Sequence, residues 1–361
     1  MTSARLDAEH NTIPSPFPEG WYFVASRQDF RKVRLIEKTW MGENIVAWCD
    51  KDGKICVADA YCPHLGSYLG SAAGGCVRDG RLVCPFHGFE YDTTGQCVAT
   101  PYADPPRTAK LRVYETHEEA GLVFAWWGMG GREPQWRLPD FTLDQTGWSA
   151  LEFWKATFPG HPQETTENSV DLAHLRYVHG YHNVERVGKV TIDGPYLQSC
   201  FNFRTVRRIA GVLKFTLDLS VDTAVYGLGY SFVQTRELTI GMDLRIWILA
   251  TPVDGALIDL WIIMQVGELG RPRRWVAGLG FLPVKFRASV MNKLLSPMQH
   301  KDVLQDVVIW GRKRYRSRPR LARSDGEIMP FRYYCAQFYP GPEDAEEPLP
   351  ATSGSTVHGT V

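Results

Sequence analysis

Two cysteine and histidine pairs constrain this chain more than any other feature: Cys62-Pro63-His64 and, after nineteen intervening residues, Cys84-Pro85-Phe86-His87-Gly88. Each pair lies beside a turn-forming proline or glycine, so each can form one jaw of a metal centre that folding brings opposite the other. With eight cysteines and ten histidines in 361 residues, chance rarely sets both spacings so close together. Two thiolates can hold one iron and two imidazoles a second. Histidine in place of cysteine lowers the negative charge of such a cluster and raises its potential, so that it accepts electrons from a lower-potential ferredoxin. The same ligands also suit tetrahedral Zn²⁺, although the usual finger spacing and its helix are missing. Cys49, Cys56, Cys76, Cys97, Cys200 and Cys335 read as small core hydrophobes.

A second constellation lies in Glu167-Asn168-Ser169-Val170-Asp171-Leu172-Ala173-His174-Leu175-Arg176-Tyr177-Val178-His179-Gly180. Asn168, Asp171 and His174 are three apart and would share one drifting face of a helix. His174 and His179 are five apart, about 140° on a regular helix, too wide for two ligands of one metal, so the helix must distort or end there. Gly180 supplies a C-terminal breaker. Two histidines with one carboxylate form the facial triad of non-haem Fe(II), which leaves positions open for dioxygen and substrate. The carboxylate must come from elsewhere, and Asp302 and Asp306, spaced i,i+4, both stand as candidates. Asp171, between apolar Val170 and Leu172, would be costly unpaired and is expected to bond a histidine.

Around these motifs the chain changes character. Gly20-Trp21-Tyr22-Phe23-Val24 opens a run of short strands, with turns at Asp52-Gly53 and Asp79-Gly80 and final strands at Lys110 to Thr116 and Gly121 to Trp127. Gly128 to Pro134, with Pro139, breaks the pattern. Beyond it come a helical stretch from Glu164 to Val178, strand-like runs from Lys189 to Val266 and helical sequence from Trp275 to about Arg316. Lys+Arg 40 balance Asp+Glu 40, so no global positive field exists to hold nucleic acid. Pro252, Asp254 and Asp259 interrupt the most apolar region, short of the roughly 18 uncharged residues of a membrane span. The first residues lack an apolar signal region, and the expectation is a cytoplasmic, reducing compartment.

At these residues the sequence resembles the oxygenase component of Rieske non-haem iron oxygenases, from Trp21 to Tyr339. The family's cluster ligands correspond to Cys62, His64, Cys84 and His87, and its Asn-x-x-Asp-x-x-His-x4-His motif to Asn168, Asp171, His174 and His179. Gln305-Asp306-x-x-Ile309-Trp310 matches a further family segment and favours Asp306 over Asp302 as third ligand. The resemblance is nearest to the subgroup of 3-ketosteroid 9α-hydroxylase oxygenases and cholesterol 7-desaturases. It is carried by Cys-Pro-His-Leu-Gly at 62–66, Gln163-Glu164, Ala173-His174-Leu175, Tyr177-Val178-His179-Gly180 and Arg332 to Tyr339. The nineteen-residue spacing, longer than is usual, and Phe89, where tryptophan is frequent, depart from the pattern without touching a ligand.

The resemblance implies an α+β fold: an N-terminal all-β Rieske [2Fe-2S] domain at 18–133, then an α+β helix-grip catalytic domain with an antiparallel sheet at 134–340. A flexible N-terminus, 1–17, and a disordered tail, 341–361, flank them. It implies a terminal oxygenase that uses O₂ and electrons from NAD(P)H, through a separate ferredoxin or flavin reductase, to hydroxylate or desaturate a hydrophobic steroid-like substrate. No Gly-x-Gly-x-x-Gly follows a strand, so the nicotinamide is expected on the reductase. It also implies a homotrimer in which Asp171 bridges to a cluster histidine, His87 of the partner subunit. Competing readings are an oxygenase of an aromatic acid or methyl ether, and an electron carrier that uses the first cluster alone. The strand aromatics Phe215, Tyr226, Tyr230, Phe232, Trp247 and Trp261 are candidates for the pocket, though strand aromatics are more often core.

Overall fold

The computed structural model describes residues 15–139, 143–209, 213–269 and 279–339. The expected tail beyond 340, the first fourteen residues and the helical sequence at 275–278 lie outside them.

Short strands with tight turns build the first half. A four-stranded sheet has the order β2-β3-β4-β9: β2 is Leu35–Trp40, β3 Glu43–Cys49, β4 Ile55–Asp59 and β9 Val113–Tyr114. A second has the order β5-β6-β7-β8, with Cys76–Arg78, Arg81–Val83, Glu90–Tyr91 and Cys97–Ala99. A third pairs β1 (Gly20–Ser26) with β11 (Leu122–Trp127) and β11 with β10 (Thr116–Glu119). Three hairpins close on two residues that both have positive φ: Met41-Gly42, Asp79-Gly80 and Ala120-Gly121. These are type I′ turns, whose twist matches that of the strands they join.

The second half is one long antiparallel sheet ordered β12-β19-β18-β17-β16-β15-β13, with β14 on β15. The strands are β12 Glu152–Pro159, β13 His182–Arg186, β14 Thr191–Asp193, β15 Tyr196–Ile209, β16 Leu213–Tyr226, β17 Tyr230–Glu237, β18 Met242–Pro252 and β19 Leu257–Val266. Numbering helices in chain order, α1 is Arg27–Lys32, α2 Pro162–Thr166, α3 Leu172–Tyr177, α4 Val284–Trp310 and α5 Ile328–Ala336. Helix α4, about 40 Å long, lies over β12 and β19. The buried Asn292 amide fixes it by donating to Ser149 Oγ and to the carbonyls of Ala150 and Met264.

Both faces of this sheet are covered. On one, Trp247, Phe232 and Tyr230 join Trp21, Phe23 and Phe124 of the first half in a single apolar cluster. The Phe23 and Trp261 rings meet at 5.3 Å, and the Glu19 amide donates to Phe338 O at 2.8 Å. Gly229 must be glycine there: a Cβ would stand 2.5 Å from Trp21 O and from the Tyr22 ring. On the other face, alternate residues of the same strands look toward α2, α3 and α4 across an internal cavity.

The expected single helix from Glu164 to Val178 is instead three pieces, α2, a 3₁₀ turn at Glu167–Ser169 and α3. Asp171 causes the break. Its backbone is extended (φ −88°, ψ 91°) and its carboxylate accepts the amides of Ala173 and His174, capping α3. One cysteine expected in the core, Cys76, is exposed, and Cys49 and Cys200 are half-buried.

Candidate metal centres

The first centre lies between two loops with the same backbone design. In one, the Cys62 amide donates to Ser67 O and Gly66 N to Cys62 O; in the other, Cys84 N donates to Phe89 O and Gly88 N to Cys84 O. Gly66 and Gly88 both sit at positive φ, 74° and 68°, a conformation glycine adopts without penalty. Repetition of one loop presents two Cys/His jaws toward each other. The His64 and His87 rings lie 4.8 Å apart, and His64 stacks on Phe89 at 4.4 Å. Both thiols are buried. Burial pushes the Cys62 thiol up, while the Tyr91 hydroxyl, 3.0 Å from its sulfur, pulls the other way. His87 Nδ1 is buried without a hydrogen-bond partner. An orphaned buried nitrogen beside two buried thiols is the chemistry of a metal-ligating set, and it fits a [2Fe-2S] cluster. Phe89 takes the place of the more frequent tryptophan and supplies a ring on which His64 rests.

The second centre is assembled by the end of α3 and the last turns of α4. The helix stops at Tyr177, Val178 N still bonds His174 O at 2.8 Å, and Gly180 turns at φ 65°. The chain therefore reverses within five residues, and His179 Nε2 comes to 3.1 Å from His174 Nε2. Asp306 completes the group: its oxygens lie 3.7 Å from His174 Nε2 and 3.3 Å from His179 Nε2. Ligand atoms of the three residues lie within 4.8 Å of one another. Asp302 is not among them. It accepts the Tyr181 hydroxyl at 2.7 Å.

Hydrogen bonds on the outer side fix how the two imidazoles of this triad face one another. Nδ1 of His174 bonds the Asp171 carbonyl at 2.9 Å and Nδ1 of His179 bonds Gln305 Oε1 at 3.1 Å. Both partners can only accept, so both Nδ1 atoms carry protons and both Nε2 atoms present lone pairs to one another. Asn168 Nδ2 lies 3.3 Å from His174 Nε2. Burial works against ionising Asp306, yet the two imidazoles hold its carboxyl below the ordinary range. Burial likewise lowers His179, and the hydrogen bond and charge of Asp306 outweigh it, so the imidazole is raised. Facing lone pairs and a nearby carboxylate make a cage that a cation relieves, and two histidines with one carboxylate fit non-haem Fe(II). Asp171 does meet a histidine, through its backbone: its carbonyl accepts from His174 Nδ1, while its carboxylate caps α3 and bonds no histidine side chain among the described residues.

From this triad a cavity extends between the sheet and α4, with an empty volume of about 1390 Å³ including its open mouth. Its walls are mainly aliphatic and phenylalanine side chains. Tyr226, Tyr230, Phe232, Trp247 and Trp261 do not line it. They point to the other sheet face, against the first half of the chain. The side chain of Phe215 lies outside the described set. Two residues that the sequence left without a role have one here: Gln305, adjacent to Asp306 in sequence, and Tyr91, for which no signal existed. Among the described residues, no helix is long and apolar enough to cross a membrane.

Comparison with known families places residues 20–115 in the Rieske [2Fe-2S] domain and residues 125–339, more than half of the chain, in the 3-Ketosteroid 9alpha-hydroxylase C-terminal domain. The cholesterol 7-desaturase nvd 1 of Ciona intestinalis is 28% identical over 354 residues, covering 91% of this chain and 70% of that protein. The 3-ketosteroid-9-alpha-monooxygenase oxygenase component of Rhodococcus rhodochrous is 26% identical over 349 residues, covering 92% and 86%. Among solved structures, dicamba monooxygenase bound to 3,6 dichlorosalicylic acid superposes with a TM-score of 0.68 at 18% identity, over 91% of this chain and 98% of that one. At that identity the likeness speaks for the fold alone.

Proposed function

The chain belongs to the Rieske non-haem iron oxygenases that carry a 3-ketosteroid 9α-hydroxylase C-terminal domain, and we propose that it oxidises a rigid, apolar steroid or sterol at the inner end of its cavity. The cavity carries this reading: its lining is mainly apolar, and His174, His179 and Asp306 form part of it. The relatives named for cholesterol desaturation and 3-ketosteroid monooxygenation support it. An aromatic acid is the weaker alternative, because the described lining contains no lysine or arginine to meet a carboxylate.

In this reading Cys62 and Cys84 hold one iron of the cluster, His64 and His87 hold the other, and His174, His179 and Asp306 hold Fe(II). The iron, when bound, supplies the activation of O₂ against a C–H bond. The chain's own residues do the rest. Gln305 and the Asp171 carbonyl orient the two imidazoles, the aliphatic walls exclude water, and the cavity fixes which substrate carbon faces the triad. Electrons come from NAD(P)H through a separate ferredoxin or flavin reductase, in keeping with the relative named as an oxygenase component. Asp171 Oδ2, free of hydrogen bonds among the described residues, bridges to His87 of the partner subunit in a homotrimer. Exposed apolar side chains support such docking: Tyr177 near the triad is 93% exposed, and Leu65 and Phe86 on the cluster loops 65% and 63%. We set the domain boundary at 133/134 and the compartment as the cytoplasm, where the six cysteines outside the cluster would stay reduced.

The test is a single turnover. Anaerobically purified, chemically reduced protein is mixed with O₂ and a panel of 3-ketosteroids, sterols and aromatic acids, and products are read by mass. A steroid that gains one oxygen, or a sterol that loses two hydrogens, is the expected result. Conversion of an aromatic acid alone would overturn the reading.

A further inference from the structure

The otherwise apolar sheet wall of the cavity carries three hydroxyls: Thr223 on β16, and Ser231 and Thr235 on β17. They are 5%, 6% and 8% exposed, and each lines the cavity. The strand register places them together. Thr223 pairs with Val233, and Ser231 and Thr235 flank Val233 two residues to either side on the same face. Thr223 is therefore the diagonal neighbour of both, within roughly 8 Å of each by ordinary sheet geometry. From Ser231 to Thr235 the row covers about 13 Å along the strand.

These three differ from the other cavity hydroxyls on α2 and the 3₁₀ turn. Thr165 donates to Pro162 O, Thr166 to Leu228 O and Ser169 to Thr166 O, so each is consumed by the backbone. Thr223, Ser231 and Thr235 make no side-chain hydrogen bond among the described residues. Their oxygens open on the cavity and are not sealed in the core, so each is satisfied only by what enters that cavity, and a largely buried hydroxyl left unmet there is destabilising. Valine would occupy the same space in a strand without that cost. Three such positions on one wall of one cavity mark a place where something outside the chain completes the bonding.

We propose that Thr223, Ser231 and Thr235 form a hydrogen-bonding track that receives an oxygen substituent of the steroid and thereby sets which ring carbon lies against the triad. The track rests on the steroid reading and refines it. The substrate it selects carries a hydroxyl or keto oxygen on its rigid skeleton and is held by neutral hydrogen bonds. Because a hydroxyl both donates and accepts, the row can meet either oxygen function. The three are positioning residues, acting through the oxygen substituent they receive.

The experiment uses the iron-loaded holoenzyme and its Thr223→Val and Thr235→Val variants. Each is titrated anaerobically, by tryptophan fluorescence, with a 3-ketosteroid, a 3-hydroxysterol and an otherwise identical steroid lacking the 3-oxygen. Single-turnover products are then mapped by position. Valine is expected to weaken binding of the oxygenated steroids by about three- to tenfold, to leave the deoxygenated one unchanged and to spread the site of attack over neighbouring carbons. Thr235→Ser keeps the hydroxyl and should restore affinity and position together. Unchanged binding of the deoxygenated steroid shows that the variants are folded. Equal weakening of all three ligands, or of none, with an unchanged product pattern would overturn the track while leaving the steroid reading standing. Failure of the unaltered enzyme to bind any steroid would overturn both.

Discussion

His179 reaches the triad with one ring nitrogen engaged by Gln305 and the other turned toward His174 and Asp306, so a single amide decides which nitrogen faces the centre. His174 is oriented by a backbone carbonyl, which no substitution removes. The asymmetry gives a residue-scale prediction. Replacing Gln305 with Leu should weaken mononuclear iron binding by about 10- to 100-fold, the usual effect of losing a partner behind a metal-ligating histidine. The cluster's visible absorption should be unaffected. Iron competition with a chelator, followed beside that absorption, checks it; an unchanged mononuclear affinity would show that Gln305 does not orient His179. The same residues show what spacing alone leaves open, where the match of Gln305-Asp306 to the family segment favoured Asp306. Asp302 and Asp306, one turn apart, share a helix face and are indistinguishable by spacing. The choice is made by Tyr181, which reaches Asp302 from 121 residues away in sequence and bonds it at 2.7 Å.

At the scale of elements, Asp171 does two separable things: its carboxylate caps α3, and its carbonyl orients His174. Asparagine caps a helix about as well as aspartate, whereas alanine costs about 1 kcal/mol. Asp171→Asn should therefore keep stability and both metals but lose most turnover, through loss of the charge proposed to bridge subunits; Asp171→Ala should also lower the melting temperature. Metal analysis, calorimetry and product yield separate the two effects, and normal product formation by the asparagine variant would sink the bridge. This capping is also why the expected continuous helix is absent. Periodicity of three is common to a helix and to a capped break, and only the side chain's bond to its own downstream amides tells them apart. The cluster loops, the hairpins at Asp52-Gly53 and Asp79-Gly80 and the long strands were legible, because turn chemistry and alternation are local properties. Which face of β17 meets the cavity was not. Tyr230 and Phe232 are as buried as Ser231 and Val233, since the first half of the chain covers one side and α4 the other.

For the whole molecule, the contact between the two halves has a titratable group at its centre. Glu119, in the β10 to β11 hairpin, is buried and accepts the Tyr230 hydroxyl of the catalytic sheet at 2.8 Å. Burial raises its carboxyl to about 7, with the Tyr230 bond and the Arg245 charge opposing. Between about pH 4.5, where an unfolded glutamate releases its proton, and about pH 7, the folded protein keeps that proton. The folded state binds more protons over this range, so stability falls as pH rises through it and levels off above about 7. The shift corresponds to at most about 3 kcal/mol. Glu119→Gln keeps an acceptor for Tyr230 and cannot ionise, so it should remove this decline and leave the protein more stable than the parent near pH 8, with the gap closing toward about pH 5. Melting temperatures of the two proteins across that range test it. A constant difference at every pH would mean that the carboxyl ionises in the folded state as freely as in the unfolded one.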